Sequence, residues 1–287
     1  MKHIAVFFVC SLLLSFTCEA ATSQKKLTPS TSIKPINKAW LPLSFPQEAE
    51  RLPVNYSGLD PVKFVQLFKS KVGTLKKDEF ETTEQFAQRS ANIDLILSPL
   101  NSKDLYAFQV QDVEITYNAD TQSYTVGASY SYLCQDNYNF GNFKDWTTCK
   151  IAEVTRKRDT YKGSNAYGAS IIVSRTSGSN LGLAFKKGST SLSPFKKDSP
   201  YSDRYKYQDT LSVPLDRAKS LKNLTIGILF VGRITDAKLI EGRAILIEPK
   251  IDSPSDIFIT QDAVPFELNN IIYYVVQTGE ILGRKIL

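Results

Sequence analysis

The chain is short of the side chains that most often do chemistry near neutral pH. It has one histidine, His3, and one methionine, Met1, in 287 residues. Both lie in the opening stretch MKHIAVFFVCSLLLSFTCEA, where Lys2 and His3 precede an apolar run from Ile4 to Phe16 and small residues gather around Ala20 and Ala21. That order of charge, apolar run and small residues is expected of a cleavable secretory leader, residues 1–20. The run is well short of the roughly 20 residues that a spanning helix needs. Once the leader is removed, no histidine remains. Ser-His-Asp triads, Cys-His pairs and the usual zinc sites are then excluded together. Nothing in the sequence calls for a metal or a cofactor, and no later segment is apolar for long enough to be a transmembrane helix.

Cysteine is also scarce. Of the four, Cys10 and Cys18 belong to the leader. A lipid anchor on Cys18 is the alternative to cleavage after Ala20, and the bulky Phe16 shortly before it argues against that. Cys134 and Cys149 remain, flanking a polar and aromatic loop between two strand-like segments, and are expected to form a disulfide. Closing a loop of that length is worth about 3 kcal/mol in the chain-entropy picture. There is no Cys-x-x-Cys spacing to suggest redox work. The net charge of +6 is modest. It is spread through pairs such as Lys186-Lys187 and Lys196-Lys197, which read as a solvated face.

Residues 21–57 are rich in Lys, Thr, Ser and Pro and read as an extended tether or arm, although Trp40, Leu41, Leu43 and Phe45 could dock its second half. Residues 58–287 form the body, with one or two subdomains. Asp60 as cap, Pro61 in the first turn and Val65, Phe68 and Val72 on one face predict a helix over 61–72, ended by Gly73. Thr82 or Thr83 with Gln85 signals a second helix carrying Phe86, Ser90 and Ile93 on one face. After Pro99 the period changes to two. Val113, Ile115 and Tyr117, then Tyr124, Val126 and Ala128, predict a hairpin turned at Asn118-Ala119-Asp120. Further strands are expected at 150–161, 169–175, 181–185 and 207–213, with a short helical turn at Leu215–Leu221. Four more apolar strands follow, the last split at Thr278-Gly279. The expected fold class is α+β, two N-terminal helices followed by a largely antiparallel multi-stranded sheet.

Two runs, KDEFETTEQFAQR and YKGSNAYGASIIVS with NLGLAF after it, resemble runs that recur in uncharacterised exported bacterial proteins. The resemblance covers about the middle third of the chain. It implies a bacterial origin and carries no activity and no residue roles.

Four constellations could carry function. Gly163–Ser170, GSNAYGAS, has the glycine spacing of a phosphate loop, but Ala169 stands where the lysine belongs, so a tight turn is the simpler reading. Glu81, Glu84 and Arg89 suit a helix start and an ion pair. Paired carboxylates of this kind could also hydrolyse a glycosidic bond without histidine. Tyr201, Arg204, Tyr205, Lys206 and Tyr207 combine rings with cations, and read best as a charge-blunted sheet edge. The loop CQDNYNFGNFKDWTTC gathers Tyr138, Phe140, Phe143 and Trp146. These rings either form a binding surface or fold back into the core. The expected function is that of an exported, periplasmic or secreted envelope protein, a non-enzymatic binding or assembly module. Its expected partner is another envelope protein or a cell-wall or glycan component, not nucleic acid. The alternative is a histidine-free carboxylate hydrolase of envelope polymers.

Overall fold

Asp60 opens the first helix, α1 (Pro61–Val72), by accepting hydrogen bonds from the Val62 and Lys63 amides at 2.9 and 3.2 Å. Here and below, the structure is a computed structural model that describes residues 40–287 apart from 74, 76, 112, 129–133, 137–139, 142–143, 165–166, 198, 200–201 and 203. The leader, Cys10, Cys18 and the first half of the 21–57 arm lie outside the described residues. The inner face of α1, Phe64, Val65 and Phe68, is buried. Phe64 sets its ring 5.0 Å from Tyr106 and 4.9 Å from Phe108. The second helix, α2 (Thr83–Ala91), starts with the Thr82–Gln85 capping box. It buries none of its side chains, and the short α3 (Ile93–Leu97) follows.

The expected α+β class does not hold. Among the described residues strand makes up 50% and helix 16%, so the structure is mostly β. The strands run in chain order as β1 (Tyr106–Val110), β2 (Val113–Asn118), β3 (Ser123–Ala128), β4 (Cys134–Gln135), β5 (Phe140–Gly141), β6 (Trp146–Ser164) and β7 (Ser170–Lys186). They continue as β8 (Phe195–Lys197), β9 (Arg204–Ser212), β10 (Ile226–Ile234), β11 (Ile240–Ile247), β12 (Ser255–Val275) and β13 (Ile281–Ile286), with α4 (Leu215–Leu221) before β10. Their order is β1-β10-β12-β7-β6-β4-β9-β3-β2, with β11 and β13 on β12, β5 on β11 and β8 on β9. The sheet is mixed: the other ladders among the described residues are antiparallel, but β7 and β12 run parallel from Ser174↔Ser255 to Ala184↔Pro265.

Two long strands explain much of the excess. The segments expected at 169–175 and 181–185 are one strand, β7, and the two apolar segments after residue 255 are one strand, β12. In the sequence Pro265 makes β12 look broken, since proline cannot donate to a ladder. It sits where the strand changes partners: pairing with β11 ends at Ala263↔Ile240 and pairing with β10 begins at Phe266↔Ile234.

Covalent reach also shows that the sheet curls. Gln135 and Phe140 are five peptide steps apart, about 19 Å at most. On a flat sheet the five spacings from β4 through β6, β7, β12 and β11 to β5 would alone cover about 24 Å. The curl brings β11 back toward β6 and closes around a core in which Phe185, Phe195, Tyr207 and Phe230 meet at ring distances of 5.6 to 5.9 Å. The disulfide Cys134–Cys149 joins the paired positions of β4 and β6 and is buried in that core.

The second half of the arm docks on the sheet. Phe45 and Leu52 are buried, and their amides donate to Leu105 O and Gly279 O at 2.6 and 2.8 Å. Gly279 has φ of +72°, and any Cβ there would run into the Leu52 carbonyl, so only glycine suits this contact. Trp40 is half-buried against the core, whereas Leu41 and Leu43 are exposed. Among the described residues no helix is long and apolar enough to cross a membrane.

Candidate functional site

The aromatic loop is divided by the fold. Tyr138 and Phe143 lie outside the described residues. The backbone of Phe140 pairs with Arg243 in the β5–β11 ladder. Trp146 opens β6 opposite Lys186 and packs, half-buried, against Ala184, Ile240 and Ala263. Asp136, at the loop's other end, accepts hydrogen bonds from Thr147 and, at 2.9 Å, from the Tyr205 hydroxyl. Lys197 stands 3.8 Å from the same carboxylate and 5.4 Å from the Tyr205 ring. Burial and the Asp136 carboxylate push the Tyr205 hydroxyl up to about 12, which keeps it protonated as a donor.

Trp146 forms one wall of a groove of about 360 Å³ at the end of the curled sheet. Its other groups come from far apart in the chain: Lys186 at the end of β7, Ser189 and Ser191 after it, Thr235 and Asp236 after β10, and Phe266 and Glu267 in β12. Gly188, with φ of +79°, makes the turn that carries Ser189 back over β12. A 3-10 turn, Thr190–Leu192, follows. Ser191 is fixed there, its hydroxyl accepting from the Leu268 amide at 3.0 Å. Ser189 differs. Its Oγ is buried and makes no hydrogen bond to the described residues. Leaving a buried hydroxyl unmatched costs about 1–3 kcal/mol, so Ser189 is a local weak point in the groove wall. Glu267 is paired with Arg233 across the β10–β12 ladder at 3.3 Å, and Asp236 is exposed at the mouth.

An indole face beside hydroxyls and carboxylates has the chemistry to hold a sugar. The apolar C–H face of the ring stacks on the indole, and the sugar hydroxyls donate to carboxylate oxygens in charge-assisted hydrogen bonds. Of these groups only Trp146 is legible in the sequence as a candidate. Ser189, Asp236, Phe266 and Glu267 carry no local signal, because the groove is assembled from separate stretches of chain.

The remaining candidates resolve into structural parts. GSNAYGAS is the turn of the β6–β7 hairpin, with Gly168 at φ of +84° and Tyr167 exposed. Glu81 is held below the usual carboxylate range by its bidentate hydrogen bonds from Arg89, at 2.8 and 2.9 Å. Tyr201 lies outside the described residues. The expected edge at 204–207 is instead interior, since β9 runs between β4, β8 and β3. Tyr207 is buried and shares a hydroxyl contact with Tyr273, which donates to Asp209 at 2.6 Å. Lys285 reaches the same carboxylate oxygen at 2.9 Å. Burial raises both tyrosines above their ordinary range, so neither is a base. Burial works against the Asp209 charge, but the donors Tyr273 and Lys285 outweigh it and hold the carboxyl low.

Among the described residues, no group of three or more His, Cys, Asp and Glu side chains gathers to hold a metal ion. Among the described residues the carboxyls whose titration is displaced, Glu81, Asp94, Asp159 and Asp209, are displaced downward by hydrogen bonds or cations. That direction suits ion pairs and not general acids. No protein-family model, no curated protein and no solved structure matches the chain.

Proposed function

We propose that this chain is an exported protein that acts by binding, and that the groove at Trp146 holds a glycan of the cell envelope. The single observation that carries the reading is the half-buried Trp146 ring in a groove that Asp236 and Glu267 also line. Export rests on the leader-like order of residues 1–20 and on the disulfide, which persists in oxidising compartments.

The test is a calorimetric titration of the purified protein with soluble cell-wall glycan fragments, alongside Trp146→Ala and Asp236→Asn. Each substitution should weaken binding about five- to tenfold, as expected for loss of one stacked ring or one hydrogen bond, while circular dichroism stays unchanged. Equal affinity in both variants removes the groove from the reading. Product release from the same fragments, seen by mass spectrometry, replaces binding with hydrolysis. Export is checked separately, by fractionating cells that express the full chain and reading the mature N-terminus.

A further inference from the structure

A second groove, lined mainly by apolar side chains, lies between the β2–β3 hairpin and α4. It encloses about 420 Å³ and is walled by Ile115, Tyr117 and Tyr124 on one side and by Leu215, Leu221 and Ile226 on the other. The cause of the gap is visible in β2. Its inward residues Val113, Ile115 and Tyr117 alternate correctly but are only half-buried, because α4 does not close on the last strand of the sheet. Close packing is the rule inside proteins, and a gap of this size between two apolar faces is of the order that small ligands fill.

The polar groups of the groove decide what kind of ligand. The hydroxyls of Tyr117 and Tyr124 point away to chain carbonyls, donating to Val213 O at 3.0 Å and to Ala218 O at 3.4 Å. They leave the walls apolar. The two charged residues lining the groove, Lys219 and Lys222, are both cations one turn apart on the α4 side. Lys219 has an exposed partner, Asp216, at 3.2 Å. Lys222 is exposed, with its positive charge at the edge of an apolar trough. An apolar trough with a cationic lip complements a ligand with an apolar tail and an anionic head.

We propose that this groove binds a free single-chain anionic amphiphile of the fatty-acid class, tail between β2–β3 and α4 and carboxylate at Lys222 and Lys219. The site is independent of the Trp146 groove and of the reading given to it. The test is a calorimetric titration of the protein with laurate and with dodecan-1-ol, and a flotation assay with vesicles containing anionic phospholipid. Laurate should bind one to one and about tenfold tighter than the alcohol, the worth of one hydrogen bond to a charged group. Lys222→Glu should lose about the same factor. Ile115→Trp fills the trough and should abolish binding, while Thr116→Trp, on the exposed face of the same strand, should leave it intact. If Ile115→Trp does not fold, the double reversal Lys219→Glu with Lys222→Glu tests the same site without filling it. Equal binding of laurate and alcohol, laurate affinity unchanged in the trough variants, or binding to vesicles without binding to laurate would each overturn the proposal.

Discussion

Strands β6, β7 and β12 each pass through two environments, and the contrast between their inner and outer halves separates what pairing does from what burial does. In the inner half, Cys149, Leu183, Phe185 and Val264 are buried and meet the aromatic core. In the outer half the ladder continues without a break from Asp159↔Arg175 to Ser164↔Ser170. Yet every β6 residue from Glu153 to Thr160 is exposed, and Ile172 is 62% exposed. Val173 is the buried apolar side chain of β7 in that half, and the contacts around it include ion pairs and cation–ring contacts, such as Arg175 with Asp159 at 2.6 Å and Arg243 over the Phe258 ring at 4.0 Å. Hydrogen-bonded pairing can extend a strand well beyond the core, but the free energy of folding is concentrated where apolar surface is buried.

Substitutions can break or sharpen this contrast. The largest effect is expected from Phe185→Ala, which removes a fully buried ring and should cost about 3–5 kcal/mol in urea unfolding. Ile172→Ala, on the same strand, should stay within about 0.5 kcal/mol. Comparable losses at both positions would mean that the outer half is packed as the inner half is. Next is the disulfide: the double substitution Cys134→Ser with Cys149→Ser should lower stability by about 3 kcal/mol under oxidising conditions. The outer hairpin should keep its proteolytic susceptibility, read by limited digestion.

A smaller effect is expected in the pH dependence. Asp209 belongs to the interior, and its folded carboxyl is held low. Its contribution is therefore present above the unfolded value of about 4 and is lost as pH falls through the lower folded value. Asp209→Asn should flatten the acid limb of the stability curve, measured by thermal melts across that range. An unchanged limb would assign acid sensitivity to other groups. The smallest effect is reserved for the exposed pair: Arg175→Ala should leave the urea midpoint unmoved within error, because exposed ion pairs are weakened by water and salt.

Local signals place an element correctly where the local chain decides the outcome. Asp60 with Pro61 and the Thr82–Gln85 box each mark a helix start, since a cap acts on the amides beside it. The β2–β3 hairpin is legible for the same reason, with Asn118 accepting from the Asp120 and Thr121 amides in the turn. The long strands are not. Gly178 and Ser179 interrupt the apolar pattern of β7, and Pro265 that of β12, so both read as breaks. Their continuity comes from neighbours across the sheet, which supply pairing regardless of local propensity.

The candidate site divides along the same line. Trp146 stands out as an aromatic residue in a loop, but its groove needs Ser189 from the turn after β7, Asp236 from the turn after β10 and Glu267 from β12. By itself the sequence determined the helix starts, the cysteine pairing and the scarcity of histidine, because these depend on residue identity and on neighbours a few positions away. Tertiary structure alone decided the parallel β7–β12 pairing, the curl of the sheet and the two grooves. Those depend on contacts between residues tens of positions apart, whose register is set by burying one shared core.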